Sequence, residues 1–115
     1  MKELEQKLKK FAEDRNWGQY HSPKNLAIGI SVEANELLEL FIWQSESESR
    51  QITPKQLERI REEVGDVLIY LINFCRSVGI DPVECAHKKL AINEQKYPVG
   101  KSYGSSKKYN ELNGK

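Results

Sequence analysis

Residues 53–79 read TPKQLERIREEVGDVLIYLINFCRSVG, and this stretch decides the fold. Thr53-Pro54 is a helix start: proline's fixed φ suits the first helical position, where its missing N–H is not needed, and the threonine oxygen can accept from an orphan backbone N–H. Gln56 completes the spacing of a capping box. From there Leu57, Ile60, Val64, Leu68, Leu71, Cys75 and Val78 recur at the three- and four-residue intervals of an amphipathic helix. Gly79 stands where a helix C-terminus would place it. The expectation is one long helix over 54–78.

The same start signal recurs at Ser22-Pro23 and, with Glu84 at looser capping-box spacing, at Asp81-Pro82. Apolar stripes follow each start, and another runs through Leu4, Leu8 and Phe11. Four helices are expected, approximately 2–15, 23–44, 54–78 and 82–97, with QSESESRQ (44–51) as a polar loop. No stretch has a strand period. After Pro98 the composition turns to Gly, Ser, Lys and Tyr, so 98–115 reads as a flexible basic tail behind a helical domain over 1–97. The fold class expected is all-α, an antiparallel four-helix bundle.

With 115 residues, a single domain accounts for the length, and a small core makes self-association an attractive route to further burial. Eighteen basic and 17 acidic side chains leave a net charge of +1, which argues against a nucleic-acid polymer or an anionic membrane as the main partner. No apolar run approaches the ~18 residues of a membrane span, and the N-terminus lacks a signal peptide's apolar stretch, so a soluble, cytoplasmic protein is expected. Cys75 and Cys85 lack metal or disulfide spacing and read as small core residues.

The chemistry gathers in two acidic pairs, Glu33-x-x-Glu36 on the second helix and Glu63-x-x-Asp66 on the third. Members of an i,i+3 pair share a helix face, so each pair can converge on one ion. Such pairs are common on wet helix faces. Here, however, both lie on the border of the apolar sector, where unpaired carboxylates would repel and partly protonate unless cations neutralised them. All-oxygen ligation without Cys or an adjacent His favours a hard ion, Mg²⁺ or Mn²⁺, and Mg²⁺ shares its shell readily with phosphates. A di-iron bundle is disfavoured because Glu84-x-x-His87 is the chain's single Glu-x-x-His.

Trp43 follows Glu36 by seven residues and Tyr70 follows Asp66 by four, so a flat ligand could stack on either acidic face. Trp17 and His21 could line the same cavity, although a lone histidine more often sits on a surface. Lys89, Asn93 and Lys96 form one cationic face of the fourth helix, suited to phosphate oxygens. Gly100-Lys101-Ser102 is not a P-loop, because Gln95 stands where the first glycine would be and no strand precedes it.

At these residues the chain resembles the MazG-like, all-α nucleoside triphosphate pyrophosphohydrolases, whose signature is E-x-x-E, a spacer, then E-x-x-D. Within them it is most similar to the dCTP pyrophosphatases. The likeness runs from FAEDRNWGQYHSPKNL through VEANELLELFIWQ and EEVGDVLIYLINF to KKLAINEQKYP and SSKKYNEL. It implies hydrolysis of dCTP or a modified dCTP between the α- and β-phosphates to a monophosphate and pyrophosphate. It assigns Mg²⁺ to Glu33, Glu36, Glu63 and Asp66, and the base to Trp17, His21, Trp43 and Tyr70. Lys89, Asn93, Lys96 and Tyr97 match the family's phosphate-facing helix, and a homodimer or homotetramer is implied. The loop 45–51 is short and the segment before Phe11 is less alike. Glu36 or the neighbouring Glu39 could take the proton of an attacking water. The competing reading is a non-enzymatic four-helix dimerisation or adaptor module whose acids form a solvated rim.

Overall fold

The computed structural model describes residues 1–104, and every regular element among them is helical. In chain order these are α1 (Lys2–Asp14), a 3₁₀ turn (Trp17–Tyr20), α2 (Pro23–Glu39), α3 (Glu46–Ser49), α4 (Pro54–Val78), α5 (Pro82–Lys96) and α6 (Val99–Ser102). The all-α expectation holds. No described helix is long and apolar enough to cross a membrane.

The three proline-marked starts are built as the sequence indicates. Ser22 Oγ accepts from the Asn25 N–H at 3.1 Å, and Asp81 Oδ1 accepts from the Val83 and Glu84 N–H groups at 2.8 and 3.0 Å. Thr53 and Gln56 close a reciprocal capping box. Gly79 terminates α4 at φ 75°, a left-handed conformation that costs glycine little.

Two boundaries differ from the sequence reading. The second helix ends at Glu39 instead of 44, with the N–H groups of both Phe41 and Ile42 turning back to the Leu38 carbonyl at 2.9 Å. Leu40, Phe41 and Ile42 prolong the apolar period, but the chain leaves the helix at Leu40, and Leu40 and Phe41 border a cleft shared with Gln56, Arg59 and Ile60 at the start of α4. The loop 44–51 contains a helical turn, α3. Its signal was present in Ser45-x-x-Glu48, whose two residues form a complete capping box.

Two compact units divide after Ile80. In the first, α1 and α2 both pack on α4, and α2 runs antiparallel to it. The register brings Gly29 to Tyr70, the Glu33/Glu36 turn to the Glu63/Asp66 turn, and the Leu40 end of α2 to Arg59. Leu26 and Ile72 are fully enclosed, and Ala12 and Cys75 complete the buried apolar set among the described residues. Cys75 is a core residue as expected, whereas Cys85 is exposed because α5 buries none of its side chains. Much of the α4 stripe is also open: Val64 is 49% exposed, Leu68 and Leu71 37% each. The second unit begins at Asp81 and carries α5 and α6. Within the sequence-predicted tail, 99–102 thus form one helical turn, and the part from Ser105 onward lies outside the described residues.

Candidate active site

Helix pitch places Glu33 and Glu36 on one side of α2 and Glu63 and Asp66 on one side of α4, and the antiparallel packing makes these two sides meet. One carboxylate oxygen from each of the four residues lies within 4.8 Å of all the others. Oε2 of Glu33 and Oε2 of Glu63 are closed off from solvent and receive no hydrogen bond. Burial, reinforced by a shared proton and charge repulsion with Glu36 and by Asp66 and Glu63, pushes the Glu33 carboxyl up to about 7. Burial and the neighbouring Glu36 and Asp66 raise Glu63 as well, against a smaller pull downward from Arg59. Four acids so placed hold more negative charge than the protein compensates, and orphaned oxygens on both helices are ready acceptors for a cation. The donor set fits a hard divalent ion, all carboxylate oxygen with neither sulfur nor imidazole.

Glu39, in the last turn of α2, is exposed and stands outside this group of four. One turn past Asp66 on α4, Tyr70 lies against the backbone of Gly29 on α2, so close that a Cβ there would overlap the ring. Tyr70 also borders a cleft of about 300 Å³ walled by Leu8, Phe11, Ala12, Trp17, His21, Ile69 and Asn73. Trp17 meets Phe11 edge-on, with centroids 5.5 Å apart at 73°, while the Arg15 guanidinium covers the Phe11 ring 3.6 Å from its centroid. The structure therefore brings Trp17, His21 and Tyr70 together. His21 is half-buried in the cleft wall, not on the surface; burial and then the charge of Arg76 hold its imidazole below the usual range.

Trp43 is not brought to this cleft. Because α2 stops at Glu39, Trp43 leaves the face it would share with Glu36 and is 93% exposed. Lys89, Asn93 and Lys96 fall at i, i+4 and i+7 of α5, and Tyr97 caps that helix, all within the second unit. Sequence reasoning overlooked Leu8, Phe11 and Asn73. Asn73 was legible in principle as an amide interrupting the apolar run from Val67 to Cys75 at three residues from Tyr70.

The MazG-like family profile matches residues 28–112. Over 104 residues the chain is 39% identical to dCTP pyrophosphatase 1 of Mus musculus and 36% identical to that of Homo sapiens, matches that cover 89% of this chain and 61% of each relative. It thus spans about three fifths of the length of these proteins. The crystal structure of a pyrophosphatase from Archaeoglobus fulgidus DSM 4304 superposes with a TM-score of 0.80 at 43% identity, covering 85% of this chain and 92% of that one. Sequence profile, relatives and backbone agree, and the chain belongs to the MazG-like family.

Proposed function

We propose that this protein is a nucleoside triphosphate pyrophosphohydrolase that cleaves dCTP or modified dCTP between the α- and β-phosphates. The observation that carries this reading is the adjacency on α4 of a four-carboxylate cluster and an aromatic cleft, with Asp66 and Tyr70 one helical turn apart. A metal triphosphate needs the first of these environments and a flat base the second, and a nucleotide joins the two. The dCTP pyrophosphatases among the relatives and the pyrophosphatase of A. fulgidus support the same activity.

Glu33, Glu36, Glu63 and Asp66 would hold Mg²⁺, with Mn²⁺ as a substitute. Bound there, the ion supplies positive charge against the phosphate oxygens and makes water more acidic. The chain's own part is placement. Trp17, His21 and Tyr70 line the place of the base and keep water from it. Lys89, Asn93, Lys96 and Tyr97 offer donors for phosphate oxygens, and Glu36 or Glu39 takes a proton from the attacking water.

A homodimer or homotetramer belongs to the same proposal. The open stripe of Val64, Leu68 and Leu71 and the exposed Trp43 are surfaces that a second copy would cover, and Trp43 would then serve a site completed by assembly. The setting proposed is cytoplasmic, with small nucleotides rather than nucleic acid polymers or membranes as partners. The test is product analysis: dCTP with Mg²⁺ should yield dCMP and pyrophosphate in equal amounts, with no turnover in EDTA. Release of dCDP and orthophosphate, or no turnover, refutes the reading.

A further inference from the structure

We propose that Asn73 reads the hydrogen-bonding edge of the base and sets base selectivity, an inference that rests on the nucleotide reading above. Asn73 follows Tyr70 by three residues and Asp66 by seven, so it continues along α4 the line that begins at the carboxylates. It is the buried polar residue among the described ones, 9% exposed between the core positions Ile72 and Cys75. Its Oδ1 is sealed from solvent and has no hydrogen-bond donor. Nearly all buried polar atoms in folded proteins are paired, and Asn73 borders both the aromatic cleft and a more polar one lined by Lys9, Glu13 and Arg76, so a ligand in the aromatic cleft can supply the partner that Oδ1 lacks.

The cavity has the character that a base requires. Leu8, Phe11, Trp17, Ile69 and Tyr70 give it apolar and aromatic walls, suited to a flat ring but indifferent to which ring it is. Selectivity must come from the polar groups, and beside the Tyr70 hydroxyl and the Trp17 indole N–H the wall carries the Asn73 carboxamide and the His21 imidazole. His21 Nδ1 is also sealed and unpartnered, and burial, then the charge of Arg76, holds the imidazole below its usual range. A carboxamide sets an acceptor and a donor side by side. With the carboxamide turned out into the cleft, cytosine would answer with its exocyclic amino group, donating to Oδ1, and its ring N3, accepting from Nδ2. Thymine and uracil present those two positions in the reverse order, which the carboxamide meets only after turning over.

The experiment compares Asn73→Leu, which keeps the approximate volume without the hydrogen bonds, and Asn73→Ala with the wild-type chain. Steady-state kinetics on dCTP, dTTP and dUTP are paired with equilibrium binding of dCMP and dTMP in the absence of metal. Sites built around a hydrogen bond reject analogues lacking it by large factors, so both variants should lose ~100-fold or more in kcat/KM for the preferred base while the poorest base changes within about threefold. Preference in monophosphate binding should vanish in parallel. A uniform loss across bases, with wild-type ratios kept, would make Asn73 a packing residue and overturn the inference. Wild-type protein that binds dCMP and dTMP equally, or neither, also overturns it. If the wild type binds dCMP selectively, loses that selectivity on substitution and hydrolyses no triphosphate, the pyrophosphohydrolase reading falls and the role of Asn73 stands.

Discussion

The ring of Tyr70 lies directly on the backbone of Gly29, filling the space that any larger residue's Cβ would need. This contact fixes the spacing of α2 and α4 one turn from the carboxylates and holds one wall of the aromatic cleft. Glycine serves here for close approach, since its backbone is ordinary helix. In Gly29→Ala the gain in helix propensity, about 1 kcal/mol, is opposed by overpacking that costs about 1–3 kcal/mol. A net loss of about 1 kcal/mol is expected, lowering the melting temperature by a few degrees. KM for dCTP should rise as Tyr70 is displaced. Unchanged melting and KM would show that the ring yields without consequence.

Glu63→Gln should separate stability from function. The substitution removes one charge from a group of four that repel one another, so the metal-free helical fold should be as stable as the wild type or more so by circular-dichroism melting. Mg²⁺-dependent pyrophosphate release should fall by at least ~100-fold, because a ligand oxygen is replaced by a weaker donor. Full activity in this variant would remove Glu63 from the metal set.

The pH dependence of the metal-free protein has a definite sign. Glu33 titrates near 7 in the folded chain against 4.5 ordinarily, so between these values the native state holds more protons than the unfolded one. Its contribution is therefore fully present below about 4.5 and is lost as pH rises through 7; Glu63, also raised, acts in the same direction. Melting in EDTA should fall across this window, and Glu33→Gln should flatten the fall. Added Mg²⁺ should raise the melting temperature markedly at pH 8 and little at pH 5, where protons compete for the same oxygens. A wild-type profile in EDTA that matches that of Glu33→Gln would contradict the assignment.

Trp43→Ala should leave the single chain's stability within about 0.5 kcal/mol, since the indole is almost wholly exposed. If a second copy covers this surface, the same substitution weakens assembly in sedimentation velocity and raises KM for dCTP. A variant unaltered in both would leave Trp43 without a role in the site.

Local signals carried most of the helix plan. Ser22-Pro23, Thr53-Pro54, Asp81-Pro82 and Gly79 act through their nearest backbone neighbours, so four residues of sequence suffice to read each one. The acidic pairs were legible for a similar reason, because i,i+3 spacing makes each pair share a face whatever the helix packs against. Ser45-x-x-Glu48 carries the same local signal within a stretch too polar to show an apolar stripe.

Packing decided the rest. The end of α2 carries no local signal, since the apolar period runs on through Leu40, Phe41 and Ile42, yet Leu40 and Phe41 border a cleft with the start of α4, and with that ending went the place of Trp43. Helical periodicity says which residues share a face, but only the antiparallel register of α2 on α4 says that Glu33 and Glu36 meet Glu63 and Asp66 rather than solvent. The same holds for Asn73: its sequence neighbours mark it as near the core, while its orphaned oxygen in the wall of a cleft is a property of three helical segments meeting in space.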